Sequence, residues 1–288
     1  MKLEGRSGAG TVLVVRPRPR LQLRRAKAAI ANLPVAVRYR SELVSAAPLT
    51  PVLSVDARTD VVVVVCLWRR TDRLMPILRM LEAQRAASRI RVVFWNNDPT
   101  TTARYRGELA AHQLSGALAR VDLVDCPRNI GGAARFVVAR RLAQEGYAGP
   151  LIMLDDDQEV QADFIARLLG SWRPRGYCGV WAWRIHGDYW DRSEVEDGKP
   201  ATYVGTGGSI CDVGLLASRR VARRLPVAYH FLEDIWLSAQ AIRSGYALYR
   251  AQVEYRFTDD DHGQWEMLAR SKSDFFDVLR RPGVVPRP

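Results

Sequence analysis

Strand-like and helix-like hydrophobic patterns alternate through the first half of the chain. Residues 61–66 read VVVVVC, a continuous β-branched run expected of a strand covered on both faces. Leu74, Ile77, Leu78 and Leu81 then recur at helical spacing, and Pro76 suits the first turn of that helix. Next come a strand at RVVFW (91–95), a helix from about Thr102 to Leu114 and a strand at ARVDLVDC (119–126). A helix in AARFVVARRLAQEG, closed by Gly146, leads to a strand at LIML (151–154). Such alternation predicts an α/β fold with a mostly parallel central sheet flanked by helices.

The second half is patterned differently. GVWAWRIHGDYW (179–190) begins as a strand, RSEVEDGKPATY is a polar loop or hairpin, and VGTGGSICDVGLL (204–216) is Gly-rich and then apolar. A helix is expected from about Glu233 to Arg243, where Ile235, Ala239 and Ile242 share a face, and a short helix near the C-terminus. Ahead of the first strand, residues 1–58 look like a basic extension with a short helix over 21–33, because the prolines of LVSAAPLTPVLSVDART argue against a long element. The expected organisation is that extension, a single domain over 59–275 and a tail over 276–288.

The formal net charge of +12 comes almost entirely from arginine, and the densest cluster is RPRPRLQLRRAK, residues 16–27. No aromatic residues interleave there to stack bases, so nucleic acid is not an expected partner. Peripheral contact of this arm with an anionic membrane is. No apolar run approaches the roughly 20 residues that span a bilayer, and the N-terminus lacks a secretory apolar core, so a cytoplasmic protein is expected, able to lie at the inner face of the membrane. Cys66, Cys126, Cys178 and Cys211 are widely separated, which argues against a zinc site or a disulfide framework.

The chemistry collects just past the predicted strand ends, where open α/β sheets bind ligands. There the chain reads LWRR (67–70), NND (96–98), RNIGG (128–132) and DDD (155–157). Three adjacent carboxylates repel one another unless compensated, and an Asp-x-Asp pair can hold Mg²⁺ or Mn²⁺ that also binds phosphate oxygens. In an extended segment Asp155 and Asp157 would project alike and Asp156 away from them. Arg69, Arg70 and Arg128 are candidate partners for a nucleotide diphosphate. Asn96, Asn97 and Asp98 can read a base or ribose, Asn129 is a further candidate on the donor side, and Gly131 and Gly132 would let the backbone approach a sugar nucleotide, although a plain tight turn is an equal reading of such a pair. Trp181, Trp183, Tyr189, Trp190 and Trp236 are candidates to stack on sugar rings, although alternating aromatics also serve sheet packing.

The ordered segments VVVVVCLWRRTDRL, VVFWNND, RNIGGAARF, LIMLDDD, GTGGSI and FLEDIWLS resemble nucleotide-sugar glycosyltransferases of the GT-A, Rossmann-like fold, most closely the family 2 inverting enzymes. Similarity to exostosin-type and to galactofuranosyl and rhamnosyl transferases is also present, and the resemblance spans about residues 60–270. It implies that Asp155 and Asp157 form the metal and diphosphate motif, and that Asn97 and Asp98 contact uridine, although most members carry an acidic pair there. Asp156 is a candidate on the donor side, and Thr206, Gly207 and Gly208 are expected to form the turn under the donor sugar or beside the acceptor. It also implies that Glu233 and Asp234 form the pair whose Asp is the general base, and that His262 completes the metal site. Transfer from a UDP-sugar to a glycan, lipid-linked or small-molecule acceptor is the activity implied. Independently of the resemblance, Asp234 at a helix start would be kept ionised by exposed N–H groups, though acid pairs at helix starts are common. A retaining exostosin-type transfer, and a metal-dependent nucleotidyltransferase or phosphohydrolase, use the same residue types and stay open on sequence alone.

Overall fold

The computed structural model describes residues 19–45, 47–55, 58–86, 88–258 and 264–280, with side chains in the last segment from 268 onward. The first half runs α1 (Pro19–Val44), β1 (Pro51–Ser54), β2 (Val61–Leu67), α2 (Leu74–Glu82), β3 (Ile90–Asn96), α3 (Thr102–Ala110), β4 (Leu118–Asp125), α4 (Ala134–Gln144) and β5 (Pro150–Asp155). The second runs β6 (Gln158–Val160), α5 (Phe164–Ser171), β7 (Gly176–Gly179), β8 (Ala182–Ile185), β9 (Arg192–Glu194), β10 (Tyr203–Val204), β11 (Ser209–Asp212), α6 (Val213–Ala217) and α7 (Arg219–Ala222). It closes with α8 (Glu233–Arg243), β12 (Ala247–Arg250), β13 (Tyr255–Phe257) and α9 (Gln264–Leu279).

The central sheet has eight strands in the order β1-β4-β3-β2-β5-β11-β7-β12. β4, β3, β2 and β5 are mutually parallel, and β11 is antiparallel to both β5 and β7. The continuous valine run of β2 forms the centre because both of its faces are covered. Val62 and Val64 pack on one side with Tyr39, Phe136 and Ile235, whereas Val61, Val63 and Val65 pack on the other with Leu74, Ile77, Tyr105 and Phe164. Each such buried valine is worth roughly 1.5–3 kcal/mol over an exposed one. α1, α4 and α8 therefore lie on one face of the sheet, and α2, α3 and α5 on the other.

Two helices are longer than expected, and α3, expected to reach Leu114, ends at Ala110. The helix expected over 21–33 runs for 26 residues, through Pro34. Pro34 stands on the exposed side of the helix, where the carbonyl it leaves unpaired can meet water, so the helix continues past it. The C-terminal helix is also longer than expected, at 16 residues. α1 lies against α4, and β1 is hydrogen-bonded antiparallel to β4.

Strand register builds the site. Leu67 pairs with Asn96, Asn96 with Asp125, and Cys66 with Asp155, so the parallel strands end abreast at one edge. Because β11 runs the other way, with Ser209 opposite Met153, the Gly-rich segment before it arrives at that same edge.

Candidate active site

β5 ends at Asp155, and Asp156 and Asp157 form the turn into β6. The three carboxylates have different surroundings. Asp156 is buried, accepts the Trp68 N–H at 2.9 Å and Arg70 Nη1 at 2.9 Å, and its carbonyl accepts Arg73 Nε at 2.9 Å. Burial pushes its carboxyl up to about 6 against the opposing pull of the Trp68 N–H and Arg70. Asp156 thus ties the β2–α2 loop to the sheet.

Asp155 and Asp157 keep coordination capacity. Asp155 Oδ1 accepts Arg135 Nη2, and its backbone N–H donates to Gln158 Oε1 at 3.0 Å. Oδ2 has no donor among the described residues and faces Gly207, where any Cβ would overlap it. Asp157 Oδ2 lies 3.4 Å from Arg70 Nη2, whereas its Oδ1 is buried without a hydrogen-bond partner among the described residues. Burial and then the Asp155 charge push the Asp157 carboxyl up to about 6. A buried carboxylate oxygen lacking any donor fits a cation ligand, so the pair suits a hard divalent ion. Among the described residues no three His, Cys, Asp or Glu side chains converge as a complete metal cage, and His262 lies outside the described residues. Two carboxylates plus water and substrate oxygens are the usual set for Mg²⁺-like ions.

Arg135, on the first turn of α4, is buried and joins the two acidic segments: Nη1 reaches Glu233 Oε1 at 3.0 Å while Nη2 holds Asp155. Burial pushes the Glu233 carboxyl up to about 7, with Arg135 opposing. Gly131 has a φ of 62°, and a Cβ there would stand 2.7 Å from Phe231 Cδ1. A Cβ on Gly132 would overlap the Glu233 carboxylate. The glycines are therefore required by the close approach of this turn to the start of α8. Asn97 fastens the same turn, accepting the Ile130 N–H at 3.0 Å and donating to the Gly131 carbonyl at 3.4 Å, and Asn129 Oδ1 accepts the Gly131 N–H at 2.7 Å.

Asp234 begins α8 beside Glu233. Its Oδ2 accepts the Tyr203 hydroxyl at 2.5 Å and its Oδ1 the Ile235 N–H at 2.7 Å. Two cavities meet at this residue. One, of about 480 Å³, is lined by Cys66, Trp68, Asn97, Asn129, Gly131, Arg135, Asp156 and Glu233. The other, of about 640 Å³, is walled by Trp181, Tyr189, Trp190, Arg192, Tyr203 and Phe257. Arg70, Asp155, Asp157, Thr206, Asp234 and Lys272 line both.

Of the residues singled out in the sequence, Arg70, Asn97, Asn129, Gly131, Asp155, Asp156, Asp157, Gly207, Glu233 and Asp234 come together around these cavities. Others are placed elsewhere. Arg69 is exposed, its guanidinium 4.2 Å over the Trp68 ring, and Arg128 is exposed beyond β4. Asp98 caps the turn at 99–101 through the Thr100 N–H at 3.0 Å. Gly208 donates its N–H to the Met153 carbonyl at 2.8 Å and packs on Val180. Trp236 is in the core, bonded to the Val221 carbonyl at 2.8 Å, and Trp183 stands behind the second cavity under Arg192 at 4.5 Å. Sequence reasoning missed Arg135, Tyr203, Arg192 and Lys272 as site residues. Arg135 alone carried a signal, a single charge inside the apolar run AARFVVA.

No protein-family model and no curated protein sequence matches the chain. Among solved structures, the fold is similar to that of the mannosyltransferase PcManGT from Pyrobaculum calidifontis in complex with GDP-Man and Mn²⁺, with a TM-score of 0.52 and 15% identity over 92% of this chain and 77% of that one. A weaker likeness is to S. aureus TarS 1–349 in complex with UDP, at a TM-score of 0.46 and 14% identity over 77% of this chain and 66% of that one. The sheet of this chain thus has the α/β architecture of a solved glycosyltransferase.

Proposed function

We propose that the protein is a divalent-metal-dependent glycosyltransferase that moves a sugar from a nucleoside diphosphate to an acceptor hydroxyl with inversion. The observation that carries this reading is the wall shared by two cavities, on which Asp155, Asp157 and Asp234 all stand. The smaller cavity, between the strand ends and the Gly131 turn, is the donor side, with Asn97 and Asn129 at its edge. UDP is the nucleotide the sequence resemblance favours. The mannosyltransferase with the similar fold was solved with GDP-Man, so both belong in the test. The larger cavity, with rings for sugar stacking, is the acceptor side.

Asp155 and Asp157 are the residues that would hold Mn²⁺ or Mg²⁺, which when bound offsets the negative charge developing on the departing diphosphate. Asp234 takes the proton. The acceptor hydroxyl oxygen forms a bond to the anomeric carbon, its proton passes to the Asp234 carboxylate, and the bond from that carbon to the diphosphate oxygen breaks, the electron pair leaving with the nucleotide. Tyr203 and the Ile235 N–H fix the rotamer of Asp234 and leave a lone pair on each oxygen for the incoming proton. Glu233 is less suited to that task, because it lines only the donor side and is tied to Arg135. Its role is to place Arg135, which in turn orients Asp155. Arg192 and Lys272 add positive charge to the acceptor cavity, which favours an acceptor bearing a phosphate or carboxylate group.

The test is a panel of UDP- and GDP-sugars with Mn²⁺, read by thermal stabilisation, nucleotide release and the anomeric configuration of the product. Release of a nucleoside diphosphate with transfer of the sugar is expected. Release of pyrophosphate or inorganic phosphate would point to the nucleotidyltransferase or hydrolase reading, and a retained anomeric configuration would remove Asp234 as base.

A further inference from the structure

We infer that the outward face of α1 is a docking surface for an anionic lipid membrane. The helix has two apolar faces. The inner one, with Leu21, Ala36, Tyr39 and Leu43, is buried on the protein, and the Tyr39 hydroxyl donates to the Ala222 carbonyl at 2.6 Å. The outer one carries Leu23, Ile30, Leu33, Val37 and Val44, from 53% exposed at Leu33 to 74% at Ile30. At 100° per residue these five fall within an arc of about 80°, opposite the buried face. At about 1.5 Å per residue the stripe is about 32 Å long. Apart from Val55, Trp190 and Phe257, no other large apolar side chain is exposed among the described residues. A contiguous patch of this kind marks an interaction site, in contrast to a scatter of single exposed residues.

Charge selects the occupant. Exposed Arg20 and Lys27 flank the stripe on one side and exposed Arg40 on the other. The one acidic residue of α1, Glu42, points inward and is buried, paired with Arg38 and with Arg141 at 2.6 Å. The charged residues bordering the apolar outer face are therefore all cations, and the neutral polar ones beside them are Gln22 and Ser41. A second copy of this chain would bring the same cations together, whereas anionic headgroups neutralise them and the acyl boundary takes the leucine, isoleucine and valine side chains. No described helix is long and apolar enough to cross a membrane, so α1 would lie in the plane of the interface. The inference does not depend on the proposed transfer chemistry.

The experiment is co-sedimentation of the full chain with phosphatidylcholine vesicles with and without phosphatidylglycerol, across a salt series. Binding is expected only with phosphatidylglycerol, weakening as salt rises. The double substitution Ile30→Glu with Val37→Glu should lower that partition at least about tenfold. Lys27→Glu with Arg40→Glu should lower it too and flatten the salt dependence. Both pairs are exposed, so an unchanged melting temperature would show that the fold is intact. Failure of the native chain to bind, or equal binding by native and Ile30→Glu/Val37→Glu chains, would overturn the inference. So would a native dimer in solution that the same double substitution dissolves while vesicle binding is unaffected.

Discussion

Arginine–carboxylate clusters stand toward both ends of the central sheet, and they are built on opposite principles. Toward the amino ends of the strands, Arg91 and Arg120 face Asp122 and Glu145, two charges against two. Every carboxylate oxygen has a donor: Asp122 takes Arg91 Nε and Arg120 Nη2, each at 2.7 Å, and Glu145 takes Arg91 Nη1 and the Leu49 N–H, each at 2.8 Å. At the carboxyl ends, Arg70 and Arg135 serve Asp155, Asp156, Asp157 and Glu233, and Asp234 adds a further negative charge nearby. There Asp157 Oδ1 is buried with no donor among the described residues. In the first network every carboxylate oxygen is matched, because an unpaired buried anion is costly, and the atom left over belongs to a cation, Arg91 Nη2. An unmatched anion persists where something else completes it.

That contrast can be broken in measurable ways. Asp234→Asn should reduce transfer by about 10²–10⁴-fold in kcat while nucleotide binding changes little, as for loss of a general base. Asp122→Ala should leave the buried Arg91 and the half-buried Arg120 short of a partner and cost about 3–5 kcal/mol in denaturant unfolding, with transfer by the folded fraction unchanged. If instead Asp122→Ala abolished catalysis at full stability, the two ends of the sheet would not be functionally distinct.

A third measurement uses pH. His230 is buried, donates from its imidazole to the Ile130 carbonyl at 3.1 Å, and is lowered by burial from 6.5 to about 4. The unfolded chain binds the proton first, so native stability is full above 6.5 and is lost as pH falls toward 4. The share of His230 in the slope across that window should be up to about 1.4 kcal/mol per pH unit, and that share should be lost in His230→Gln, leaving the opposite contribution of the raised Asp156, Asp157 and Glu233 carboxyls. The smallest effect expected is at Asp157. Its carboxyl is raised from 3.8 to about 6, so its contribution favours the fold at low pH and is lost as pH rises through that range. Asp157→Asn in chelator at neutral pH should therefore stabilise by about 1 kcal/mol, after allowance for its partial exposure. Addition of Mn²⁺ should raise the melting temperature of the native chain but not of the variant.

The central strands were legible in the sequence because the runs at 61–66 and 151–154 are apolar without alternation, which only a doubly covered strand tolerates. The helix from Glu233 to Arg243 was legible from its face of Ile235 and Ile242 and from the acid pair at its start. Of α1 only the part over 21–33 was legible, because Pro34 reads as a breaker, and only its exposed orientation in three dimensions lets the helix continue to Val44. Site residues that follow strand ends directly, such as Asp155 and Asn97, could be read from topology alone. Tyr203, Arg192 and Lys272 could not, since they come from a small antiparallel sheet and a distant helix whose approach to the strand ends depends on long-range packing. Asp98, Arg69 and Arg128 illustrate the converse: position after a strand end does not fix where a side chain points.

The partition between the two chambers has a kinetic consequence. Because the two spaces are separate and share one wall, in the proposed transfer both reactants can be resident at once and neither must depart before the other enters. Initial velocities measured over a grid of both concentrations should then give double-reciprocal lines that intersect, and no glycosylated form of the protein should accumulate when donor is supplied alone.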